Sequence, residues 1–416
     1  MATVVLVGTL DTKGFEYDFI RQRVREAGCD VLMVDVGSKG QPLVPADVSA
    51  DEVARAAGAV RADLAAAGDR GAAVAAMTRG AIATIQRLHE QGKLDGILAL
   101  GGSGGSSIAS AVMQSLPVGV PKLLVSTMAS GDVSPYVGTS DIAMLYSIVD
   151  VAGINGISER IFSNAAAMIA GAAKAAAVFE PSAKVKPLVG ATMFGVTTPC
   201  VTLARENLEA KGYEVLVFHA TGSGGRSMEA LMKSGFIKAA LDITTTELAD
   251  ELVGGVLSAG PDRLDMAGSL GLPQVVSLGA LDMVNFGPPD TVPAKFEGRT
   301  FYQHNATVTL MRTTPEENAE LGRIIARKLN AAKGPLAVFI PLKGVSMIDV
   351  EGLPFFDPIA DAELFRELKA NLRPDIELHE VDCDINDPAF ATAMAERLDE
   401  FYRGTAPEQE RILVTA

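Results

Sequence analysis

At 416 residues the chain exceeds what one hydrophobic core usually organises, so two domains are expected, and hydrophobic residues at 48% suffice to fill both. A formal net charge of −15, from 51 acidic against 36 basic residues, argues against nucleic acid as a partner, so an anionic ligand must be held by backbone N–H groups, a few basic side chains or a divalent cation. Cys29, Cys200 and Cys383 lack metal-ligand or disulfide spacing. The apolar opening run is only strand length and has no basic flank, so a cytoplasmic protein without signal peptide or membrane anchor is expected.

The chain begins with a buried-type strand over 3–7, the loop Gly8-Thr9-Leu10-Asp11-Thr12-Lys13-Gly14, an amphipathic helix to about Ala27, and a second strand over 30–34, a βαβ beginning. Residues 38–93 read as a mostly Ala-rich helical insertion starting near Pro45. Apolar runs at 96–100, 122–126, 188–193, 215–218 and 275–278 each stop at Gly or a polar residue and precede a helical pattern. That alternation predicts an α/β fold with mainly parallel sheets. A helix is expected through 144–149, with Ser140 or Asp141 as its cap. The join between halves is expected in Phe179–Pro187, giving domains of about 1–180 and 185–416 with a ligand cleft between them. A last βα unit covers 376–381 and 388–402, followed by a short polar tail after Gly404.

An internal repeat supports two related halves. Gly102-Ser103-Gly104-Gly105-Ser106-Ser107 returns as Gly222-Ser223-Gly224-Gly225-Arg226-Ser227, each between a strand and a helix, and the opening strand–helix–Gly28–strand unit is echoed around Gly190 and Gly212. Glycines at a strand-to-helix turn let N–H groups close on an anion, although such turns also serve tight packing. Neither loop is a Walker A motif. Gly101 precedes the first loop, and Ser106 adds a hydroxyl. The Gly8–Gly14 loop lies where the first strand's carboxyl end should be, the usual ligand edge, so Gly8, Thr9 and Thr12 are candidate contacts. Lys13 would offset phosphate charge there. Asp11 would orient a hydroxyl or a hydrated Mg²⁺, or else cap the helix.

Residues 126–141 are too polar and glycine-broken for core and read as a functional loop, with Ser130, Gly131 and Asp132 as contacts. Asp242-Ile243-Thr244-Thr245-Thr246-Glu247 closes another strand; Thr244 and Glu247 have capping-box spacing, while Thr245 and Thr246 face the cleft. His219, at a strand end before the second glycine loop, is the histidine placed for acid/base chemistry, with a structural role equally open. His304, Gln303 and Asn305 share a polar segment that could also reach a ligand. No hydrolase signature is present.

The GTLDTKG opening, the GGSGGSS loop, the STMASGD and PYVGTSD segments, HATGSGGRSME and DITTTELADEL together resemble the UPF0261 family, also called Tm-1-like ATP-binding proteins. The resemblance runs over essentially the whole chain. It implies two Rossmann-like subdomains, ATP with Mg²⁺, and a homodimer. A plant antiviral member carries a further carboxyl-terminal barrel expected to have no counterpart here, so its antiviral role is not carried over. An ATP-dependent kinase, ligase or ATPase acting on a small metabolite is the leading expectation. A nucleotide-gated protein-binding module and a sugar-phosphate isomerase-like enzyme are the alternatives.

Overall fold

The computed structural model describes residues 1–180 and 186–407. The chain divides into two compact units, Met1–Ser182 and Ala183–Ala416. The expected join falls largely on residues 181–185, and most of the polar tail on 408–416; both lie outside the described residues.

The first unit opens with β1 (Thr3–Gly8), α1 (Leu10–Glu26) and β2 (Asp30–Asp35). Next come α2 (Ala50–Ala56), α3 (Arg61–Ala66) and α4 (Arg70–Glu90). It continues through β3 (Gly96–Gly101), α5 (Ser103–Gln114), β4 (Lys122–Ser126), α6 (Ser134–Val137), β5 (Ile142–Tyr146) and α7 (Gly156–Ala177). All five strands are parallel, in the order β2-β1-β3-β4-β5. Strand residues alternate between two buried faces: Val4, Leu6, Leu98 and Leu100 pack with α1 and α7, while Val5, Val7, Ile97 and Ala99 pack with α2, α4 and α5. Apolar runs without a polar side are what a doubly covered parallel sheet requires.

Because β2 and β3 flank β1, the winding reverses between β1 and β3, where helices leave to opposite faces and a crevice opens. The β1–β3 register runs from Val4–Gly96 to Leu6–Leu98. Just beyond it, Tyr17 of α1 joins the strands: its buried hydroxyl donates to the Val7 carbonyl (2.5 Å) and accepts the Leu100 N–H (2.8 Å). Burial pushes its pKa up, which keeps the donor proton in place. A Cβ at Gly8 would fall 2.0 Å from the Tyr17 ring, so Gly8 makes room for this bridge.

The second unit contains β6 (Leu188–Met193), α8 (Thr198–Ala210), β7 (Glu214–His219), α9 (Ser223–Lys233), β8 (Ile237–Thr244), α10 (Glu247–Val253) and α11 (Met266–Leu270). There follow β9 (Gln274–Gly279), β10 (Met283–Phe286), β11 (Phe301–Asn305), β12 (Val308–Arg312) and α12 (Pro315–Asn330). The unit ends with β13 (Leu336–Pro341), α13 (Pro358–Asn371), β14 (Glu377–Val381) and α14 (Pro388–Thr405). Its parallel sheet has the order β14-β13-β9-β8-β6-β7, and β10-β12-β11 form a small antiparallel sheet.

Three expectations are corrected. The helix through 144–149 is instead strand β5, because Ile142–Tyr146 pairs in register with β4, and Asp141 caps no helix but pairs with Lys122 (2.6 Å). The stretch 38–93 is not wholly an insertion: α4 is the crossover from β2 to β3, as α9 is from β7 to β8, and the extra sequence is the part carrying α2 and α3. The glycine loops are not equivalent either. One follows the interior strand β3, the other the edge strand β7. The β1-α1-β2 echo in β6-α8-β7 does hold, with Gly28 (φ 79°) and Gly212 (φ 98°) at matching helix ends.

Tyr17→Phe strands the Leu100 N–H and removes the bond to Val7, so it is expected to cost about 1–3 kcal/mol in urea unfolding. A cost below about 0.5 kcal/mol would show that the bridge matters little.

Candidate functional site

The crevice between β1 and β3 widens into a cavity of about 560 Å³, within the size range of small-molecule sites. Three sequence-distant segments build it: Thr9, Asp11, Thr12 and Lys13 after β1; Gly101–Gly105 after β3; and Val36, Ser38, Lys39, Arg70, Val74 and Met77 from the stretch between β2 and β3. Asp150 lines it as well. The GTLDTKG loop and the first glycine loop, 90 or so residues apart by their numbers in the sequence, are thus brought to one wall.

Parallel strands aim every following helix N-terminus at the same edge, and each carries N–H groups that need an acceptor. At α1 the acceptor is internal: buried Asp35, the last residue of β2, accepts from Leu10 N–H (3.0 Å) and Gly37 N–H (2.9 Å). Burial raises the Asp35 pKa, against the lowering effect of those two donors. At α9 it is also internal. Fully buried Glu247 accepts from Gly222 N–H (2.7 Å) and Gly225 N–H (3.1 Å), and its other oxygen takes Arg263 Nε (2.6 Å). Arg263 closes the network with two 2.6 Å bonds to Asp242. At α5, by contrast, Gly102 supplies no side-chain cap. Among the described residues, the N–H groups of Ser103, Gly104 and Gly105 have no protein acceptor.

The cavity's basic side chains add to the positive end that those amides present. Arg70 reaches to 3.6 Å from the position a Gly104 Cβ would take, and it makes no ion pair among the described residues. Lys39 and Lys13 add two more cations, the latter donating to the Val151 carbonyl. Asp11 accepts from Gly40 N–H (3.0 Å) through Oδ2, while its Oδ1 is buried without a hydrogen-bond partner among the described residues. A carboxylate with one unpartnered oxygen in the cavity wall is the kind of group that could hold a hydrated Mg²⁺, which needs only one or two carboxylates beside the oxygens of a ligand. Among the described residues no group of three or more His, Cys, Asp or Glu side chains could hold a metal without such help.

Other candidates from the sequence are placed elsewhere. Gly8 is buried against Tyr17. Ser106 is buried and shares a hydrogen with Ser126 (2.6 Å), below the loop rather than in the cavity. Ser130 and Gly131 are exposed outside its lining, and Asp132 accepts from Ser134 N–H and Oγ, local bonds that hold its carboxyl below the usual range. Thr245 and Thr246 are fully buried and donate to the Ser277 and Met283 carbonyls, so they face no cleft. Glu247 does not join Thr244 in a capping box, because its carboxylate is spent on the second glycine loop. That loop's Gly222 and Gly225 are therefore satisfied internally; a Cβ at Gly224 would meet the His219 carbonyl at 1.8 Å, Arg226 bonds the Gly222 carbonyl (3.0 Å), and Ser223 is exposed. His219 is exposed, with its ring edge-on to Phe194. Gln303, His304 and Asn305 lie on β11, in the small antiparallel sheet. Sequence reading missed Lys39, Arg70 and Asp150, which sit in stretches without a motif.

Fold and site together define a two-unit, Rossmann-like α/β protein with a cavity at the sheet-reversal point of its first unit. The family models for the UPF0261 N-terminal and C-terminal domains, an uncharacterised protein family, match residues 2–178 and 186–402. This chain belongs to the UPF0261 family. It is 53% identical to a UPF0261 protein of Clostridium tetani, covering 95% of this chain and 98% of that one. It is 40% identical to the ToMV resistance protein Tm-1(GCR237) of Solanum lycopersicum over 94% of this chain, which spans only 55% of the tomato protein. Among solved structures, a UDP-GlcNAc 2-epimerase of Methanocaldococcus jannaschii matches at 10% identity and TM-score 0.23, covering 66% of this chain and 83% of that one. A likeness that weak carries no functional argument. No helix of the described residues is long and apolar enough to cross a membrane.

Glu247→Ala leaves two amides without acceptor and a buried guanidinium half-paired, and is expected to cost about 3–5 kcal/mol of stability in urea unfolding. A near-neutral effect would mean that the second glycine loop is not held by this carboxylate.

Proposed function

We propose that this chain binds ATP in the first-unit cavity and uses it to act on a small metabolite. The carrying observation is the unfilled N-terminus of α5: of the three helix starts described above, it alone has no internal carboxylate, Arg70 reaches it at Gly104, and Lys39 lines the same cavity. The phosphates would lie on the Ser103–Gly105 amides, with positive charge supplied by Arg70, Lys39 and Lys13. Asp11 Oδ1 would take a water of a phosphate-bound Mg²⁺. Val36, Val74 and Met77 give the cavity an apolar wall suited to a flat ring. With positioning and charge neutralisation as the main demands of phosphoryl transfer, these parts suffice for an ATP-dependent enzyme without a covalent nucleophile.

Thermal unfolding tests the reading, since a ligand bound only by the folded state raises apparent stability. ATP with Mg²⁺ is expected to raise the midpoint. Gly104→Val should abolish the rise without loss of fold, because a side chain there meets only the end of Arg70, and Lys13→Ala should weaken it. A rise with sugar phosphates and none with nucleotide would replace ATP by a sugar-phosphate ligand. Consumption of ATP in the presence of a metabolite, followed as phosphate or ADP release, separates an enzyme from a nucleotide-gated binding module.

A further inference from the structure

The second unit buries three carboxyl groups around one guanidinium. Asp282 follows β9, Asp349 sits in the irregular loop between β13 and α13, Asp361 is on α13, and Arg312 ends β12. Arg312 bonds Asp361 (2.7 Å) and Asp349 (3.3 Å), and donates to the Phe355 (2.7 Å) and Asp357 (3.3 Å) carbonyls. Ser346 donates to Asp282 Oδ2 (2.8 Å), and Val345 N–H to Asp349 Oδ2 (3.0 Å). Asp282 Oδ1 is buried without a partner among the described residues.

Apart from the Arg312–Asp361 pair, which ties β12 to α13, these bonds hold the loop over 342–357. The loop leaves the carboxyl end of β13, touches the exit of β9 through Ala280 N–H and the Val345 carbonyl (2.9 Å), and reaches the exit of β6 through Met347 N–H and the Val196 carbonyl (2.9 Å). It therefore crosses the carboxyl edge of the second sheet, the edge where an open parallel sheet takes ligands. Three ionised carboxylates against one guanidinium would leave an excess of two negative charges away from water, which such a site avoids by keeping protons.

We propose that Asp282, Asp349 and Asp361 with Arg312 form a proton-held latch that fastens the 342–357 loop across the second sheet's carboxyl edge and loosens it when the protons leave. Burial is the leading cause that pushes Asp282 up to about 7 and Asp349 up to about 9, and it raises Asp361 as well, with the Arg312 charge opposing all three. Asp357, whose carbonyl Arg312 also holds, adds a further negative charge near Asp361. For carboxyls raised on closing, the closed form holds more protons than the open one. Closure is thus favoured at low pH and lost as pH rises from the ordinary carboxylate range through these raised values.

Hydrogen exchange of the intact chain, corrected for the intrinsic pH dependence of amide exchange, tests this. Protection of 342–357 is expected to fall about tenfold for each pH unit between 5 and 7 for every proton coupled to opening, while α8 and α12 stay constant. Asp282→Asn removes one ionisation at constant size and should flatten that fall; Asp349→Asn serves the same purpose if the first variant does not fold. Protection independent of pH in the natural chain, or an unchanged fall in a folded Asn variant, would overturn the latch.

Discussion

A helix that starts at the carboxyl edge of a parallel sheet presents N–H groups with no partner in the helix itself, and something negative has to meet them. In this protein that requirement sorts the glycine loops. Asp35 meets it for α1 and Glu247 for α9, both buried and both placed there by a strand end or the turn after one. Nothing within the described residues meets it for α5. The cavity, its cations and the orphaned oxygen of Asp11 all surround that one open end.

The two units treat the same topological place differently. In the first, β1 and β3 part beyond Leu6–Leu98, the Tyr17 hydroxyl bridges their backbones, and a cavity remains beyond it. In the second, Thr192 of β6 bonds Asp242 of the matching strand β8 (2.7 Å) and Thr197, in the turn after β6, bonds Thr244 (2.7 Å), with Arg263 completing the polar fill. Related architecture thus gives an open site once and a self-filled one once. The 342–357 loop adds cover at the second sheet's edge, held there by Arg312, Asp349 and Asp282.

Much of this was legible in the residues. Strands 122–126 and 188–193 have the limits expected of them, because each carries a short apolar stretch buried in the sheet and broken off by a polar or turn residue. The GTLDTKG and first GSGG loops were found because glycines at strand ends carry a backbone meaning that survives without context. The second GSGG loop misled for the same reason: its sequence is nearly that of the first, and what distinguishes it is Glu247, which reaches it from another element. Arg70, Lys39 and Asp150 were illegible because a single charged side chain gains its role only from the cavity it borders. Residues 144–149 read as helix locally, yet 142–146 become a strand because β4 offers them an edge.

The most direct test of the account is amide exchange of the intact chain with and without ATP and Mg²⁺, compared at the two glycine loops. Slowed exchange at Ser103–Gly105 with no change at Gly222–Arg226 is the predicted result, because a buried carboxylate, Glu247, already occupies the second loop and none occupies the first. Protection at the second loop, or at neither while ATP is bound, would contradict the assignment of the nucleotide to the open end of α5.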